Sequence, residues 1–84
     1  MSDDALALKQ LRWRCRRGTR ELDQLLGWWL AERHPTAPSE QQTAFAALLE
    51  AQDPDIWGWV MGRGLPEEAE QAAIIDAIRT RHQL

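Results

Sequence analysis

Leu22-Asp23-Gln24-Leu25-Leu26-Gly27-Trp28-Trp29-Leu30 decides the fold class. Leu22, Leu25, Leu26, Trp29 and Leu30 stand at i, i+3, i+4, i+7 and i+8, the stripe by which an α-helix turns one apolar face to a core. A half-buried strand would alternate apolar and polar residues instead, and no stretch of this chain does so for a strand's length. Trp28 falls off the stripe and is expected to be partly exposed. Thr19 is the candidate N-cap. Pro35 ends the helix, because the residue before a proline is pushed out of the α region.

Working outward, Leu6 to Arg16 reads as a preceding helix. Leu8, Leu11 and Cys15 share one face, whereas Leu6 and Trp13 fall on nearly the opposite one. Such a helix must be packed twice, or packed once and docked once. On the other side, Pro35-Thr36-Ala37-Pro38 is a short turn. Ser39 then opens a third helix as N-cap, with Gln42 completing a capping box and Phe45, Leu48 and Leu49 as its buried edge. Asp53-Pro54 reads as N-cap and first helical residue of a fourth, carrying Ile56, Trp57, Val60 and Met61 up to Gly62 and Gly64. Pro66, Glu67 and Glu68 start a fifth, whose core residues are Ile74, Ile75 and Ile78 and whose C-terminal end holds Arg79 and Arg81. The pattern predicts an all-α protein, a compact bundle of five short helices in a single domain over 1–84, with 1–5 a disordered tail. Trp29, Leu26, Phe45, Leu49 and Ile75 are expected to meet in the core. Most of the five tryptophans should join them, since so short a chain has little else to fill its interior.

A chain of 84 residues buries only about 60% of its unfolded surface, so modest stability is expected. The net charge is −3, yet five of the ten basic residues, Arg12, Arg14, Arg16, Arg17 and Arg20, crowd into nine positions. A local basic patch on an acidic chain suits one acidic partner surface better than polyanions in general. Arginine's planar fork grips a carboxylate or phosphate through two parallel bonds, and the chain has only one lysine, Lys9. Gly18 interrupts this run and predicts a tight bend between two helices, with Arg17 on one side and Glu21 on the other. An exposed tryptophan beside these arginines would mark a binding hot spot.

The chemistry of catalysis is hard to find. His34 and His82 have no evident sequence partners, and Gly62-Arg63-Gly64 is too brief for a phosphate loop. Cys15, the single cysteine, is expected to be a buried apolar residue, although its arginine neighbours leave a lowered pKa open. Cys15, His34 and His82 lack metal-ligand spacing, so no metal is expected. The acidic start Met1-Ser2-Asp3-Asp4 lacks a signal peptide's pattern, and no apolar run approaches the roughly 18 residues of a membrane span. A cytoplasmic monomer that is not an enzyme is the expectation.

Arg17-Gly18-Thr19-Arg20-Glu21-Leu22-Asp23 resembles the R-G-x-x-E motif of the small FAD assembly factors of the SdhE type. Trp13 and Cys15 precede it, and Phe45, Leu48-Leu49-Glu50, Asp53-Pro54-Asp55, Trp59-Val60-Met61 and Gly64 follow in the family's order. The resemblance covers 8–82, with one departure: Thr19 stands where the family usually has methionine. It implies a helical factor that docks on the flavoprotein subunit of succinate dehydrogenase or fumarate reductase. There it promotes covalent attachment of FAD to a subunit histidine, which attacks the flavin's 8α-methyl carbon. By position, Arg17, Gly18 and Glu21 would be the core of the docking motif, with Asp23 in support. Arg17 and Glu21 would pair with charges on the partner or brace the loop, while Gly18 would let the bend approach the FAD site. No tightly bound cofactor of its own is implied, because the FAD belongs to the partner. The alternative is a small regulatory, antitoxin-like or nucleic-acid-binding module, against which the overall acidity weighs.

Overall fold

The computed structural model describes residues 3–84, and helix is their dominant structure. Five α-helices follow one another: α1 (Asp3–Arg14), α2 (Arg20–Glu32), α3 (Ser39–Leu48), α4 (Asp53–Val60) and α5 (Ala69–His82), with a single 3-10 turn at His34–Thr36. No strand occurs among the described residues. The five-helix reading therefore holds. The expected tail lies outside the described residues at positions 1–2, whereas α1 already includes Asp3 and Ala5 and begins before Leu6.

The helix starts are less faithful to the sequence signals. Thr19 does occupy the N-cap of α2 with extended backbone (φ −113°, ψ 129°), but its side chain makes no cap bond. The N-cap of α3 is Pro38, one residue before Ser39, and Gln42 donates from Nε2 to the His34 carbonyl (2.7 Å) instead of closing a capping box. Gln52, not Asp53, caps α4, which leaves the Asp53 carboxylate for another partner. Helix α5 starts at Ala69, and Glu68 caps it by accepting from the Glu70 and Gln71 amides at 3.0 and 2.9 Å. The starts of α3, α4 and α5 thus lie one to three residues from the positions that the local patterns mark.

The α2 stripe is buried throughout: Leu22, Leu25, Leu26, Trp29 and Leu30. Helix α5 packs against α2, α3 and α4, so Ile74, Ile75 and Ile78 sit at the centre of the bundle with Phe45, Leu48, Ile56 and Val60. The Trp29 and Phe45 rings stack with centroids 4.6 Å apart. Trp29, Leu26, Phe45, Leu49 and Ile75 all belong to this one core, as expected. Of the tryptophans, only Trp29 is fully buried; Trp28, Trp57 and Trp59 lie half-buried on the core's margin, and Trp13 is outside it. An indole needs more covering than 84 residues supply five times over. The radius of gyration is 12.1 Å, close to the roughly 12 Å of a compact chain this long.

Leu26 has no exposed surface. Leu26→Ala is expected to cost about 2–5 kcal/mol, much of the stability of so small a domain. An unchanged thermal midpoint for this variant would contradict the packing described.

Candidate functional site

Between α1 and α2 the chain runs through Cys15, Arg16, Arg17, Gly18 and Thr19. Two bonds end α1, from the Cys15 amide to the Leu11 carbonyl (3.1 Å) and from the Arg16 amide to the Trp13 carbonyl (3.0 Å). Gly18 then takes φ +91°, a region that favours glycine because other residues bring Cβ against the backbone. A Cβ built there would meet nothing within 4 Å. The bend thus favours glycine for its backbone, and the space above Gly18 is open.

Arg17 does not project into that space. Its side chain is only 13% exposed and reaches across to the connection between α3 and α4. Nε donates to Asp53 Oδ1 (2.7 Å), Nη1 to the Leu49 carbonyl (2.9 Å) and to the Arg14 carbonyl (3.2 Å), and Nη2 to the Ala51 carbonyl. The last carbonyls of a helix have no partner within it, so Arg17 supplies donors that the end of α3 lacks. Its own backbone amide donates to Asp23 Oδ1 (2.6 Å), which ties the bend to the first turn of α2. Arg17 is a clamp, and Asp23 is its support. Of the two roles open to Arg17, pairing outward or bracing the loop, the geometry uses the second.

The remaining arginines divide. Arg14 bonds to Glu50 at 2.5 Å, a second link from α1 to the end of α3. Arg12, Arg16 and Arg20 are exposed. The expected patch is therefore three outward arginines, not five. Trp13 is 70% exposed, with the Arg16 guanidinium 5.6 Å from its ring centroid, and Leu6 lies a further two turns back on α1 with 57% exposure. Leu8 and Leu11, on the other face, pack against the core. Helix α1 is thus packed once, and its second apolar face is left uncovered.

Glu21 is exposed and has no side-chain hydrogen bond or ion pair among the described residues. With Thr19, Leu22, Asp53, Pro54 and Trp57 it lines a shallow hollow beside the bend. The arrangement offers an apolar floor, an outward carboxylate and a backbone that a second protein can approach closely. It can recognise a surface; no nucleophile with an adjacent base is present in it.

Cys15 is buried at 3% exposure. Burial pushes its thiol up from an ordinary 9.0 to about 11, against the pull of the nearby Arg17 charge and with a smaller push from Asp23. The folded state then holds the thiol proton more tightly than the unfolded chain. This contribution to stability is complete below pH 9 and is lost as pH rises through about 11. Native protein at pH 8 is expected to react with a disulfide reagent far more slowly than urea-unfolded protein; equal rates would rule out the buried thiol. Burial alone also lowers the His34 pKa from its usual value, with Trp29 and Phe45 edge-on to the ring. No cluster of three or more metal-ligating side chains occurs among the described residues.

A protein-family model described as Sdh5, flavinator of succinate dehydrogenase, matches residues 9–82. The chain belongs to the Sdh5 family of succinate dehydrogenase flavinators. It is 42% identical over 80 residues to the FAD assembly factor SdhE of Pseudomonas aeruginosa, covering 95% of each chain. It is 39% identical over 77 residues to the protein of that name from Xylella fastidiosa, covering 92% of this chain and 79% of that one. With the Vibrio cholerae protein the identity is 41% over 69 residues, covering 82% and 80%.

The matched span takes in the bend, both sides of the hollow and the whole core. Within it, sequence reasoning missed Asp53, Leu49 and Ala51 as the partners of Arg17, and Trp57 as the floor beside Glu21. Asp53 carried a strong local signal, Asp-Pro, that pointed to a cap. Its pairing with a residue 36 positions away leaves no local trace.

Proposed function

We propose that this chain docks on the flavoprotein subunit of succinate dehydrogenase, or of fumarate reductase, and promotes covalent attachment of the FAD held by that subunit. Membership in a flavinator family supports the activity. The observation that carries the docking surface is the uncovered strip running from Trp13 and Arg16 over the open Gly18 bend to Glu21. A rigid aromatic anchor with low conformational entropy, flanked by arginine, is the usual centre of a protein interface. The bond forms between the partner's histidine and its flavin, and the flavin supplies the reactive carbon. This chain's own part is positioning: it holds the immature subunit in a geometry that favours attack. Arg17 and Asp23 serve that role indirectly by fixing the bend, whereas Gly18 and Glu21 face the partner.

The chain's acidity, together with the commitment of Arg14 and Arg17 to bonds within the chain, disfavours a polyanion as the ligand of this face.

The test is co-expression with the flavoprotein subunit, followed by covalent flavin fluorescence of the denatured subunit. Trp13→Ala and Glu21→Ala change exposed side chains, so both variants are expected to fold normally and to lower flavinylation, Trp13→Ala by about tenfold or more. Full flavinylation by both would place the docking surface elsewhere on the molecule.

A further inference from the structure

The far end of α2 carries a second cluster that the bend does not explain. Trp28 is half-buried there, and the guanidiniums of Arg33 and Arg81 lie over its ring at 5.4 and 6.0 Å from the centroid. His82 meets the same indole edge-on, with centroids 5.5 Å apart, and its buried Nε2 has no hydrogen-bond partner. Both arginines are exposed, and neither side chain forms a hydrogen bond or ion pair among the described residues. Glu32, next along the chain, forms no ion pair either.

Cations at the C-terminal ends of α2 and α5 complement the helix dipoles, which accounts for charge at these positions. It does not account for two arginines converging on one indole. A guanidinium held over a ring by cation–π attraction keeps its five N–H donors available to a further acceptor. Two such forks beside a half-buried aromatic surface match a carboxylate carried on a polypeptide, which brings apolar contact along with the charge. The net charge of −3 opposes an extended polyanion here as it does at the bend. Along α2, Arg33 lies about 20 Å from Arg20, at 1.5 Å per residue.

We propose that Trp28, Arg33 and Arg81 form a second docking surface, which takes a carboxylate-bearing segment of a protein partner at the end of α2 opposite the bend. The surface stands apart from the flavinylation strip, so one large partner can engage both, or two partners can bind at once.

Titration of the full-length, 15N-labelled chain with a short capped peptide of alternating leucine and glutamate, which carries two carboxylates beside apolar side chains, tests this. Saturable shifts are expected at the Trp28 indole N–H and at the Arg33 and Arg81 side-chain N–H groups. Arg33→Gln/Arg81→Gln is expected to weaken binding about tenfold or more with an unchanged backbone spectrum, since charge-assisted bonds are lost. Arg33→Lys/Arg81→Lys keeps the charge without the fork and is expected to weaken it less; it also serves as the readout should the glutamine variant misfold. Equal binding by parent and both variants would overturn the proposal. So would shifts confined to Arg12, Arg16 and Arg20, or inorganic phosphate matching the peptide at equal charge concentration, which would reduce the cluster to a simple anion site.

Discussion

Gly18→Asn is expected to yield a folded protein that fails to promote covalent flavinylation. At φ +91° the residue is in the region where side chains are disfavoured, and asparagine tolerates it better than most. No atom lies within 4 Å of the position a Cβ would take, so the cost to folding is conformational only, on the order of 1–2 kcal/mol. The added amide would instead occupy the open space above the bend, where the partner's surface is proposed to sit. A thermal melt should show a modest fall in midpoint, while covalent flavin on the denatured subunit should drop to the level seen without the factor. Flavinylation at the parent's level with Gly18→Asn would reduce Gly18 to a turn residue and remove close backbone approach from the docking account.

Arg17→Lys is expected to act through stability. Lysine keeps the charge but offers one point of donation where Arg17 spans Asp53 and the carbonyls of Leu49, Ala51 and Arg14. Two or more polar groups at the α3–α4 connection would lose their partner while remaining partly buried. The expected loss is about 2–4 kcal/mol, which in a domain of this size lowers the thermal midpoint by roughly 10 °C or more. Flavinylation should then follow the folded fraction and recover when cells are grown cold. A variant as stable as the parent yet inactive at every temperature would show that Arg17 contacts the partner directly, and the clamp would not be its main role. Comparing the two positions separates the halves of the motif: Gly18 by function at near-normal stability, Arg17 by stability first.

Much of this protein was settled by its sequence alone. The i, i+3, i+4, i+7, i+8 stripe of α2 and the isoleucines of α5 carry helical periodicity strong enough to specify the fold class and the core, because burial on one face of a helix leaves a repeat of 3.6 residues. The bend at Gly18 was legible for a similar reason, since a positive φ leaves a glycine behind. So was the double-faced character of α1. What only the tertiary structure decided was which way the charges point. Arg17 looked like its neighbours Arg16 and Arg20, but the carbonyls left without backbone partners after α3 draw it inward, and those carbonyls arrive from more than thirty residues away. Asp53 likewise looked like a cap and became an ion-pair partner. The convergence of Arg33 and Arg81 on Trp28 had no sequence signal at all, because it depends on α2 and α5 ending side by side. Helical faces are local consequences of spacing, whereas the partner of a charged side chain is set by where the rest of the chain comes to rest.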